Sequence, residues 1–158
     1  MNRRVVITGV GLVTPLGIGV QESWQALCAG KSGVGEITRF DTSKFQTKIA
    51  AQVKGFHAED FLPKKDAKRT ERFIAYAIAA SRMALEDSGL VIDGTNAEKI
   101  GVITGCGLGG LSILEDTCIT LKSKGPRRVS PFFIPMYIAD IAAGLISLVF
   151  MAFAGIQL

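Results

Sequence analysis

The sequence predicts an α/β fold with parallel strands, and three observations carry that prediction. Two short apolar runs, Val5 to Ile7 and Ile100 to Thr104, have the length and composition of buried strands. Each is closed by a glycine-rich turn, Thr8-Gly9-Val10-Gly11 in the first case and Gly105 to Gly110 in the second. Apolar residues at helical spacing follow each turn, and strands that alternate with helices pack as layers around a parallel sheet.

The elements follow in order. After the first turn, Gln21 to Ala29 carries Trp24, Leu27 and Cys28 at helical spacing. Residues 30 to 56 are rich in Gly, Ser, Thr and Lys, so they are expected to form a surface excursion with one short strand near Lys48 to Val53 and no domain boundary. Lys64 to Asp87 is expected to be one helix, with Phe73, Ala77, Ala80, Ala84 and Leu85 on its apolar side and a stop at Ser88-Gly89. Leu111 to Lys122 is a further helix.

Composition narrows the class. At 158 residues, 48% hydrophobic and 20% charged, the chain has the make-up of one globular domain or part of one. A net charge of +4 fits an acidic protein partner as readily as a nucleic acid. Cys28, Cys106 and Cys118 are an odd number at no metal-ligand spacing, and His57 is the only histidine. No metal site and no structural disulfide are expected, which points to a reducing, cytosolic compartment. The start runs from Met1 straight into Val5-Val6-Ile7, too short an apolar stretch for a signal peptide, so no export is expected.

The glycine turns have competing readings. Gly9-Val10-Gly11-Leu12-Val13-Thr14 resembles a dinucleotide fingerprint, but Thr14 stands where a third small residue belongs and Pro15 follows at once. A tight turn that lets a helix pack closely on the strand is the favoured reading. In Gly105-Cys106-Gly107-Leu108-Gly109-Gly110 the glycine density implies that a ligand or another backbone comes very close. Cys106 is read as a small packed thiol rather than an activated one, because no base accompanies it.

Charge and proline mark two more segments. Lys64, Lys65, Lys68, Arg69 and Arg72 recur at helical intervals and would form one positive stripe, which by itself is more often a solvated face. Arg127-Arg128 precedes Ser130-Pro131-Phe132-Phe133-Ile134-Pro135, whose prolines argue against helix and whose apolar residues suit core lining or a contact surface equally. Ile141 to Leu158 carries no charge, a span long enough to raise a membrane helix. Asp140 before it and the lack of flanking Lys or Arg favour a helix buried in a core or interface.

Taken together, Val5 to Gly17, Phe40-Asp41-Thr42-Ser43, the Gly105 to Gly110 loop and Gly125 to Pro135 resemble the bacterial β-ketoacyl-acyl carrier protein synthases of type II. The resemblance implies a thiolase-like fold of αβαβα layers, of which residues 1–158 are an incomplete N-terminal half. It also implies a homodimer and a decarboxylating Claisen condensation of malonyl-carrier protein with an acyl group held on cysteine. Lys65, Lys68 and Arg69 match the positions that dock the acidic acyl carrier protein, with Arg127 and Arg128 extending them. Gly107 and Leu108 match a loop that lines and gates the acyl pocket, and Phe133 and Ile134 a segment that lines it.

No cofactor, nucleic acid or membrane is implied. The family's nucleophile lies in a Thr-Ala-Cys-type motif, followed by two histidines and a lysine, and none maps onto this sequence. No catalytic residue is therefore assigned, His57 included. From Met151 onward the sequence departs from the family pattern, as a truncated or frameshifted product would. Such a chain is expected to expose apolar surface and to associate, and a non-catalytic fragment that binds carrier protein or a synthase is the alternative reading.

Overall fold

The computed structural model describes residues 3–153. They form two compact units, one built from the chain up to His57 with Ala80–Gly89, the other from Ala58–Ala79 with the chain from Leu90 onward.

In the first unit the glycine turn leads into a hairpin. β1 (Val13–Thr14) pairs antiparallel with β2 (Gly17–Ile18), Val13 opposite Ile18 and Thr14 opposite Gly17. Thr14 closes the connection: its Oγ1 accepts the N–H groups of Leu16 at 3.1 Å and Gly17 at 3.2 Å. It also shares a 2.9 Å hydrogen bond with Ser23 Oγ, which donates to Gly17 O at 3.1 Å. Ser23 is buried, and these bonds satisfy it. The side chain that spoils the dinucleotide fingerprint is thus committed to a turn.

Helix α1 (Val20–Cys28) follows, and Glu22 in its first turn accepts the Ile18 N–H at 2.9 Å. Its buried residues are Ser23 and Ala26, not the larger apolar ones. Trp24 is 62% exposed, and with Leu12, Pro15, Leu16, Val20 and Leu27 it borders an open apolar groove of about 380 Å³. The surface excursion forms a second hairpin, β3 (Val34–Glu36) against β4 (Ile49–Ala51), with Gly35 opposite Ala50. In the Phe40-Asp41-Thr42-Ser43 motif, Asp41 accepts both the backbone N–H and the hydroxyl of Ser43 at 2.9 Å. The backbone bond first, and then the hydroxyl, hold the Asp41 carboxyl below its ordinary value.

The two predicted strands do not form. The described residues hold only the two antiparallel hairpins, and neither Val5–Ile7 nor Ile100–Thr104 pairs in a sheet. Val5 is 91% exposed and Ile103 98% exposed, and no residue of either run is fully buried. A parallel strand is stabilised by its ladder and by cover on both faces. Neither support reaches these segments, and their apolar pattern alone cannot supply it.

The glycine turn does pack closely on a helix. Helix α3 (Arg72–Ser88) contributes its residues from Ala80 onward to the first unit. A Cβ on Gly11 would strike Ala80 O and Ala84 N, and one on Gly9 would strike Ala84 O and Ser88. Val10 N–H, between them, donates to Asp87 Oδ2 at 2.9 Å. This backbone-on-backbone approach needs glycine on one side and small residues on the other.

The second unit draws its core from the first half of α3 and from scattered apolar residues. Ile74, Ala75, Ile78 and Ala79 are buried, together with Leu62, Ala97, Ala142 and Ile146. The innermost face of α3 is therefore offset by one residue from the predicted one, and Phe73 and Ala77 are half-buried. The helix also starts later than predicted. Lys64–Ala67 is a separate turn of helix, α2, and the chain breaks before Arg72. Thr70 Oγ1 takes the carbonyl of Asp66 at 2.7 Å, the acceptor that its own N–H would use in a continuous helix, and Glu71 O then caps the new start.

Beyond it lie α4 (Leu111–Lys124), α5 (Phe133–Tyr137) and α6 (Ile141–Phe153). A 3₁₀ turn, Pro126–Arg128, packs with α4, as does α5. The proline segment is helical for one turn because Pro135 sits in the first turn of α5, where its missing N–H has no intrahelical partner to lose. Residues 154–158 of the uncharged tail lie outside the described residues. Among the described residues no helix is long and apolar enough to cross a membrane.

Substituting Gly11→Ala is expected to destabilise the fold by about 1–3 kcal/mol through overpacking against α3. Gly94→Ala, whose Cβ meets nothing within 4 Å, serves as the control and changes little. Urea unfolding of the two variants checks this.

Candidate functional site

The predicted site residues all fall in the second unit. Lys65 lies in α2, Lys68 and Arg69 in the turn after it, and all three are exposed. The helix break means that Lys64, Lys65, Lys68, Arg69 and Arg72 do not form the single helical stripe expected of them. Their exposure keeps the charge available to a partner. Arg127 and Arg128 sit in the 3₁₀ turn and are exposed too. Arg128 borders an open polar groove of about 620 Å³ with Thr120 and Lys124 of α4. Lys124, four residues before Arg128, thereby joins the basic group.

The glycine loop divides in two. A Cβ on Gly105 or Gly107 would meet nothing within 4 Å, and Leu108 is exposed. Gly109 and Gly110 are different: Gly110 N–H donates to Tyr137 O at 3.0 Å, and Gly110 is buried. Gly109 has φ +76°, and a Cβ there would collide with the same Tyr137 carbonyl, so glycine is required twice over. The close partner predicted for this loop is the backbone at the end of α5. Cys106 Sγ accepts the Gly109 N–H at 3.2 Å, so the thiol is used as a local brace within the loop.

α5 carries the other two candidates. Phe133 is half-buried and stacks on Tyr137, with centroids 5.4 Å apart and planes at 14°. Ile134 is exposed. The Gly110 to Tyr137 bond therefore joins the loop of Gly107 and Leu108 to the helix of Phe133 and Ile134. The small cavity of about 120 Å³ beside α4 is lined by Ile113, Asp116, Thr117, Thr120, Arg128, Val129 and Ser130, and by none of those four.

Phe132, just before α5, was not singled out from the sequence. The Arg69 guanidinium carbon lies 5.2 Å from its ring centroid, within cation–π range. No spacing rule links residues so far apart in the chain. Among the described residues no group of three His, Cys, Asp or Glu side chains converges to hold a metal ion. His57 is exposed.

Comparison with known proteins is consistent across sequence and structure. The model of the beta-ketoacyl synthase N-terminal domain matches residues 2–157. A 3-oxoacyl-[acyl-carrier-protein] synthase 2 from Vibrio cholerae is 50% identical over 147 residues, covering 93% of this chain and 36% of that protein. The chain thus spans about a third of the length of such curated relatives. The ishigamide ketosynthase/chain length factor superposes with a TM-score of 0.77 at 29% identity, over 94% of this chain and 37% of that one. A ketosynthase solved in complex with its type II PKS acyl-carrier protein gives 0.71 at 22% identity, over 95% and 39% respectively, a likeness of fold alone.

The backbone path is therefore that of the thiolase-like ketosynthases, although the described residues do not close its parallel ladder. With a model of its N-terminal domain matching residues 2–157, the chain belongs to the β-ketoacyl synthase family.

Proposed function

We propose that this chain carries the carrier-docking face and part of the acyl-binding wall of a 3-oxoacyl-[acyl-carrier-protein] synthase. The enzyme would extend an acyl thioester by decarboxylating Claisen condensation in fatty-acid elongation. The observation that carries the reading is the set of exposed cations Lys65, Lys68, Arg69, Arg127 and Arg128 in the same unit as a glycine loop braced against an apolar helix. Such a surface suits an acidic protein: exposed charges steer encounter and select the partner, while contributing modestly to affinity. The 50%-identical relative from Vibrio cholerae, a 3-oxoacyl-[acyl-carrier-protein] synthase 2, supports the choice of partner.

The acyl chain is assigned to Gly107, Leu108, Phe133 and Ile134. Its support is the tie between the two segments at Gly110 and Tyr137, together with the apolar character of three of the four residues. No residue of this chain is assigned to bond making. Residues 1–158 are read as one N-terminal portion of the synthase domain. A homodimer and a cytoplasmic site of action belong to the same proposal. The exposed apolar residues of α1 support the first, and the three free cysteines the second.

Titration with acyl carrier protein tests the reading. Binding that weakens with added salt, and by at least about tenfold when Lys65, Lys68 and Arg69 are changed to Glu, is the expected outcome. Binding indifferent to those substitutions would place the partner elsewhere.

A further inference from the structure

Phe132 sits where two parts of the second unit meet. Its ring faces the Arg69 guanidinium at 5.2 Å, and it is 48% exposed. Its N–H is held by Ser130 Oγ at 3.2 Å, and its carbonyl accepts the Met136 N–H at 3.1 Å, so it anchors the start of α5. From there the contacts are continuous. Phe133 stacks on Tyr137, and Tyr137 O receives Gly110 N–H and stands against Gly109.

We propose that Arg69 is a positioning residue as well as a docking cation: its contact with Phe132 fixes the head of α5 against the basic turn. A partner carboxylate that engages Arg69 then changes the environment of Phe132. The proposal rests on the docking reading for its binding measurement only.

The chemistry of arginine permits both tasks. Attraction to the ring uses the cation's charge over an aromatic face, while five N–H donors remain for a carboxylate. Lysine is a compact, strongly hydrated point charge that would keep the formal charge and lose most of the ring contact. Contiguity of contacts is not coupling, so the test must measure the coupling itself.

The 158-residue chain is titrated with acyl carrier protein as Arg69→Lys, Phe132→Leu, Phe132→Tyr and the double variant R69K/F132L, with the Phe132 ring followed by aromatic NMR. Arg69→Lys and Phe132→Leu are each expected to weaken binding about two- to fivefold. The double variant should be no weaker than either single one, Phe132→Tyr should bind as the parent does, and the salt dependence of Arg69→Lys should be unchanged. Carrier protein should shift the Phe132 ring resonances in the parent and not in Arg69→Lys. Additive losses, or an Arg69→Lys chain that matches the parent, overturn the positioning role and leave docking intact. If the parent binds no carrier protein, the docking reading fails instead. The ring resonances of the free chains then decide: a shift on Arg69→Lys upholds the contact, and identical spectra refute it.

Discussion

Gly9 and Gly11 bring the first turn of the chain into backbone contact with α3 at Ala80, Ala84 and Ser88, and the order of the first unit follows from that approach. Dispersion and burial at such a contact depend on small residues on both sides, since one methyl group at Gly11 would occupy the space of a carbonyl. The Asp87 carboxylate fixes the register by taking the Val10 N–H. Earlier in the same helix, Ile74 and Ile78 are the largest fully buried side chains of the described residues. A single helix thus supplies a small-residue seat to one unit and the centre of the core to the other.

How legible this was depended on whether the cause was local. The end of α3 at Ser88, the span of α4 and the short strand at Ile49 followed from spacing and from turn residues, whereas its partner Val34–Glu36 was not read. Of the glycines at 105–110, Gly109 and Gly110 do have the near neighbour that their density suggested, whereas Gly105 and Gly107 stand in open space. The break before Arg72 was hidden because it turns on one hydroxyl, Thr70 Oγ1, displacing a backbone donor. The helical turn through Pro135 was hidden because it depends on where the helix begins.

Long-range features were the hardest to read. Val5 to Ile7 and Ile100 to Thr104 have the composition of strands, yet a strand is a pairing and not a property of one segment. The Arg69 to Phe132 contact is likewise a product of the fold. What the sequence conveyed about function came through motif order: four marked segments in family sequence.

Native-state hydrogen exchange tests most directly the claim that the packing of each unit rests on α3 and not on the unpaired apolar segments. The amides of Ala75 to Ala84 should be the slowest to exchange, and those of Val5 to Thr8 and Gly101 to Thr104 should exchange near the rates of an unstructured chain. Protection of those two segments equal to that of α3 would mean that they pair in a sheet, and would contradict the account.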